Sequence, residues 1–140
     1  MSASDYVEEN VLQSTLRGVA FPVPSNVYVA LFTADPTDAN VTANEVQTSA
    51  WPSYARVDCA LGGSIDSGWT APSGGVSSNA KALEFAANDG SAAVTVTHFG
   101  LYDAASGGNL LYHAPLDSAK TVNVGDVIAF AIGALTVTAT

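Results

Sequence analysis

From Asn26 onward the apolar residues follow a strand period, in short β-branched and aromatic runs separated by Gly, Asn, Asp and Pro. A strand cannot satisfy its own backbone N–H and C=O groups, so such a chain must pair with itself in sheets. "NVYVALFTA" is apolar on both faces, as in a central strand, and "DPTDAN" ends it as a turn. "YARVDCAL" alternates, and "AKALEFAA" reads as a further strand. "NDGS" is a hairpin signal before "AAVTVTHFGLYD". "NLLYHAPL", "KTVNV" and "DVIAFAIGALTVTA" follow, the last broken or bulged at Gly133. Between them, "GGSIDSGWTAPSGGVSSN" is a long Gly/Ser-rich loop with room for a short strand at Trp69. About seven strands at this spacing predict a mainly β fold, an antiparallel β-sandwich of jelly-roll or immunoglobulin-like type.

One helix precedes the strands. In "SASDYVEENVLQSTLRG", Ser2 or Ser4 can cap the N-terminus, and Asp5, Glu8 and Glu9 favour its positive end. Arg17 and Gly18 make the matching stop. Val7, Val11, Leu12 and Leu16 form a narrow apolar stripe, which makes residues 1–18 a candidate docking element. The two prolines of "VAFPVPSN" turn the next segment into an extended connector. A chain of 140 residues is expected to be one domain, 1–140, burying roughly 70% of its unfolded surface.

Charge bounds the partners. Charged residues are 12% of the chain, against about 25% in ordinary globular proteins. The surface must therefore be covered largely by Ser, Thr, Asn, Gly and Ala, which are cheap to desolvate in an assembly. Arg17, Arg56, Lys81 and Lys120 are the only basic residues, and the formal net charge is −9. Four scattered cations cannot form a phosphate-binding patch, so no direct nucleic-acid partner is expected, and no anionic membrane. Cys59 is alone, so no intrachain disulfide or Cys-based zinc site exists, and its strand setting predicts a buried inert thiol. "MSASDYVEEN" lacks a signal-peptide pattern, and the longest apolar run, Val127–Val137, is short of the ~20 residues that span a bilayer. The expectation is synthesis as a soluble protein in a cytoplasm.

The stretch "LYDAASGGNLLYHAPL" carries Asp103, Ser106 and His113 close together, with His98 just upstream. These are the residue types of a hydrolytic triad, but no G-x-S-x-G elbow accompanies them. "DAASGGN" reads as turn chemistry. A turn centred on Ser106–Gly107 would put His98 and His113 diagonally on one face, and a one-residue slip would separate them. No third metal ligand has a fixed spacing to either, so two structural histidines are expected. Asp35 and Asp38 read as a solvated turn rather than a Ca²⁺ site. "NVT" at Asn40 matches a glycosylation sequon without a secretion signal. Trp51, Tyr54 and Trp69 lie in or beside loops, where aromatics serve as interface anchors, sugar platforms or lids over a sandwich.

"NVYVALFTADPTDAN", "YARVDCAL", "SNAKALEFAA" and above all the block Val96–Thr138, with "THFGLYDA", "GGNLLY", "KTVNVGD" and "GALTVT", carry a resemblance. The chain resembles a family of small tailed-bacteriophage virion proteins, often labelled tail-fibre or tail-fibre-adaptor-like. The resemblance implies a non-enzymatic structural protein of the virion, made in the host bacterial cytoplasm, homo-oligomeric and bound to other tail or capsid proteins. It carries over no catalytic, cofactor or metal residues. A tail-associated fibre or adaptor module is the first expectation, and a head decoration (cement) protein the alternative. A carbohydrate-binding β-sandwich using Trp51, Tyr54 and Trp69 ranks lower. The candidate interface comprises Val7, Val11, Leu12, Leu16, Trp51, Tyr54 and Trp69.

Overall fold

The computed structural model describes residues 1–139. In chain order the elements are β1 (Ser2–Ala3), α1 (Asp5–Arg17), β2 (Tyr28–Phe32), β3 (Val57–Asp58), β4 (Val76–Ser78), β5 (Leu83–Glu84), β6 (Val94–Tyr102), β7 (Leu110–Val122), β8 (Ala129–Phe130) and β9 (Thr136–Thr138). The fold is mainly β, with antiparallel pairing and one N-terminal helix. A five-stranded sheet of order β1-β7-β6-β2-β3 forms one layer, and two-stranded ribbons β4-β9 and β5-β8 lie against it in a sandwich-like arrangement.

Among the described residues nine strands occur rather than about seven, because several pairings are only two or three residues long. Isolated pieces of that size have no periodicity to read. "YARVDCAL" pairs only at Val57–Asp58 before an Asx turn, in which the Asp58 carboxylate accepts from the N–H groups of Ala60 and Gly62. The second layer is two ribbons, not the continuous second sheet of an immunoglobulin domain or a jelly roll. Gly133, at φ 77°, carries the chain from β8 to β9 and so from one ribbon to the other.

"NLLYHAPL" and "KTVNV" belong to one strand. Between the pairs His98–Pro115 and Val96–Lys120, β6 has only Thr97 while β7 has Leu116 to Ala119. The apparent gap between two strands is this bulge, placed after Pro115, which has no N–H to give to a ladder.

Alternation sorts the central strands into two faces. Val29, Leu31, Phe99 and Leu101 point into the main core, with Leu83, Phe85 and Phe130 from the β5-β8 ribbon. Phe99 meets Phe130 at 5.7 Å between ring centroids, and Phe85 stacks on Tyr54 at 6.1 Å. Each such aliphatic or aromatic side chain contributes about 1.5–3 kcal/mol by burial. The other face carries a smaller cluster of Ala30, Phe32, Tyr102 and Leu110. Gly100 sits at its centre, where an added Cβ would stand 2.8 Å from Leu110 Cδ1 and 2.9 Å from Phe32 Cε2.

Where strands are too short to hold one another, two buried asparagines do so. Asn79 donates through Nδ2 to the carbonyls of Lys81 and Ala131, and its Oδ1 accepts from Leu135 N–H. Asn88 donates to Ala92 and Val122 and accepts from Gly90 N–H. Both side chains are used on donor and acceptor sides, which makes their burial tolerable.

Candidate functional site

The β6-β7 turn is stapled by Asp103. Its Oδ1 accepts from Asn109 N–H at 2.7 Å and its Oδ2 from Asn109 Nδ2 at 2.9 Å, while Gly107 and Gly108 take positive φ. The Asp103 carboxylate is thereby turned onto the loop. Ser106 is exposed at the tip. His113 instead meets Asp38, with Nε2 2.7 Å from Oδ1, and lies 3.5 Å through Nδ1 from Asp35. Asp103 and His113 therefore have separate partners, and neither is Ser106.

The register pairs Gly100 with His113 and Phe32 with His98, so both histidines lie on the face of the smaller cluster. His98 Nδ1 is 2.8 Å from its neighbour Thr97 Oγ1. His113, almost buried, ties the centre of β7 to the loop after β2. Asp38 also accepts, through its carbonyl, from Asp5 N–H at the start of α1. Asp35 Oδ1 accepts from Thr37 N–H, a turn contact. Asn40, of the sequon, accepts from the Tyr102 hydroxyl. Among the described residues no three or more His, Cys, Asp or Glu side chains are grouped to hold a metal ion.

The loop from Thr33 to Arg56 is locked over the sheet by a charged clasp. Arg56 donates through Nε and Nη2 to the two oxygens of Glu45 at 2.9 and 2.8 Å, and through Nη1 to the carbonyls of Ala104 and Gly107. Its guanidinium carbon lies 3.5 Å from the Tyr102 ring centroid. Burial alone would lower the Arg56 pKa, but the Glu45 hydrogen bonds and charge outweigh it and hold the cation firmly protonated. Sequence periodicity could not pair Arg56 with Glu45, because a loop rather than an element separates them.

Trp51 and Tyr54 lie in the main core, where an aromatic lid over the sandwich would sit. Trp51 is 0% exposed and donates its indole N–H to the Ala87 carbonyl. The Tyr54 hydroxyl donates to Glu45 and accepts from Leu31 N–H, completing the edge of β2 beyond β3. Burial, then the Glu45 charge, pushes its pKa above the ordinary phenol range. Trp69 is half-buried beside a cavity of about 210 Å³ shared with Val27, Leu101 and Val137. Cys59 is buried, and burial followed by the Asp58 charge pushes its pKa up to about 12. No two of the three loop aromatics form an exposed sugar platform.

Helix α1 is different. Ser4 is its N-cap, accepting from Val7 N–H, and Gly18 closes it in the left-handed region. Of the apolar stripe only Val7 is buried, while Val11, Leu12 and Leu16 are 44%, 57% and 77% exposed. Tyr6, Asn10 and Ser14 are the half-buried positions. The helix thus turns a mixed, more polar flank toward the body and most of its apolar stripe outward, the reverse of a core-facing amphipathic helix. No helix of the described residues is long and apolar enough to cross a membrane.

A family model described as "Podophage GP4 fiber I protein gp80" matches residues 2–138. No curated protein matches the chain. The match takes in α1, all nine strands and the loops between them, so it is the whole described fold that identifies the chain as a member of the podophage GP4 fiber I protein gp80 family.

Proposed function

We propose that this protein is a non-enzymatic structural component of a podophage tail fibre, a fibre or adaptor-type module held in the virion by protein–protein contacts. The family match over residues 2–138 carries this reading. The site geometry supports it, since Asp103, His113 and the Arg56–Glu45 pair are each engaged in holding loops to the sheet. We take residues 1–140 as one domain, made in the host bacterial cytoplasm and acting without a cofactor, nucleic acid or membrane. Contacts between copies would use strand edges. β1 covers β7 only at Tyr112 and His113, so the outer edge of β7 beyond them has no strand partner among the described residues.

Gold labelling of a tagged copy on intact particles, viewed by electron microscopy, tests the reading. Label at the tail is expected. Label distributed over the head would replace the fibre with a head decoration protein, and particles without label would remove both.

A further inference from the structure

The outward face of α1 has the marks of a docking surface, and its charge pattern narrows the occupant. Val7, Val11 and Leu12 line a groove of about 630 Å³ together with Tyr112 and Ala139. Glu8 and Asp38 add two carboxylates to its lining. At 100° per residue, Asp5, Glu8 and Glu9 share the outward face with Leu12 and Leu16, and Arg17 borders Leu16 at the C-terminal end of the helix. The result is an apolar patch with three carboxylates at its N-terminal side and one guanidinium at its C-terminal end, so its net charge is negative.

A second copy of this chain is poorly suited to such a patch. Arg56 is bound to Glu45 with a side chain only 5% exposed, and Lys81 donates to the Ala60 carbonyl and to Ser67. Only Arg17 and Lys120 remain to answer the carboxylates, against a net charge of −9 on each copy. We therefore infer that the Val11, Leu12 and Leu16 face of α1, with its adjoining groove, docks an apolar segment of a different virion protein flanked by Lys or Arg. This rests on the proposed virion role and names the chemistry of the partner. The docking is the helix-face mode, with leucines as anchors and charges setting orientation and salt dependence.

The experiment uses the full chain supplied in trans to particles lacking their own copy. Leu12→Ser/Leu16→Ser changes only exposed side chains, so circular dichroism and sedimentation should match the parent. Its occupancy in purified particles should fall about tenfold or more, since each buried leucine is worth roughly a decade of affinity. Glu8→Lys/Glu9→Lys, which keeps the apolar patch, should also lose occupancy. A benzophenone attached through Leu12→Cys should cross-link, in particles, to a Lys- or Arg-flanked segment of another virion protein. Parental occupancy of either double variant, an adduct with a second copy, or no adduct would overturn the inference. If the parent chain itself is missing from particles, the proposed virion role fails instead.

Discussion

Arg56 and Glu45 form a forked ion pair, 2.8 Å at its shorter contact, with side chains only 5% and 13% exposed. The guanidinium also covers the Tyr102 ring and fastens the β6-β7 turn. One side chain thus joins the long loop after β2, the smaller hydrophobic cluster and the hairpin tip. Replacing it should be costly, because Glu45 and two carbonyls would lose their donor. Arg56→Met is expected to destabilise by about 3–5 kcal/mol in urea unfolding. Arg56→Lys should recover only part of this, since an ammonium cannot reproduce the fork. A lysine variant as stable as the parent would contradict the clasp.

Asn79 is the second internal fastening. Asn79→Ala removes the partners of Lys81 O, Ala131 O and Leu135 N–H at a fully buried position. A loss of about 3 kcal/mol or more is expected from those unsatisfied groups. Hydrogen exchange should localise the weakening, with faster exchange at Leu135 and along the β4-β9 ribbon than in β6. Uniform change across the molecule would argue against a local stitch.

The Tyr102 phenol should make the fold sensitive to alkali. Burial, then the Glu45 charge, raises its pKa from 10.0 to about 12, with Arg56 partly opposing. The folded state therefore holds this proton more tightly than the unfolded state. The corresponding stability is complete below pH 10 and is lost as pH rises from 10 through about 12. Tyr54 is shifted in the same direction. Absorbance at the phenolate band should rise together with loss of tertiary circular dichroism. Tyr102→Phe should remove part of the slope, and ionisation of both phenols near pH 10 without unfolding would refute it.

Trp51 should report the interior. Being 0% exposed, it should be shielded from acrylamide in the folded chain, with blue-shifted emission in a Trp69→Phe background. Trp51→Ala should cost about 3–5 kcal/mol through the void it leaves. Free quenching of Trp51, or a stability-neutral Trp51→Ala, would return it to the surface.

The amino-acid sequence by itself determined the class of fold, the bounds of the helix and the positions of most turns. These follow from local chemistry: Ser4 and Gly18 cap α1, and Asp103 with two glycines makes the hairpin turn. It also made the paired histidines conditional on a register, and that register depends on which residues meet across β6 and β7. Tertiary structure alone decided the rest. Ser2–Ala3 and Val76–Ser78 are strands only because a partner lies beside them. Trp51 and Tyr54 are core because a distant ribbon brings Ala87 and Phe85 to them. The Arg56–Glu45 clasp and the Asp38–His113 contact join residues that no period connects. The stripe on α1 was legible as a pattern, but its outward direction was not, because periodicity gives a helix an apolar face without saying what the rest of the chain turns toward it.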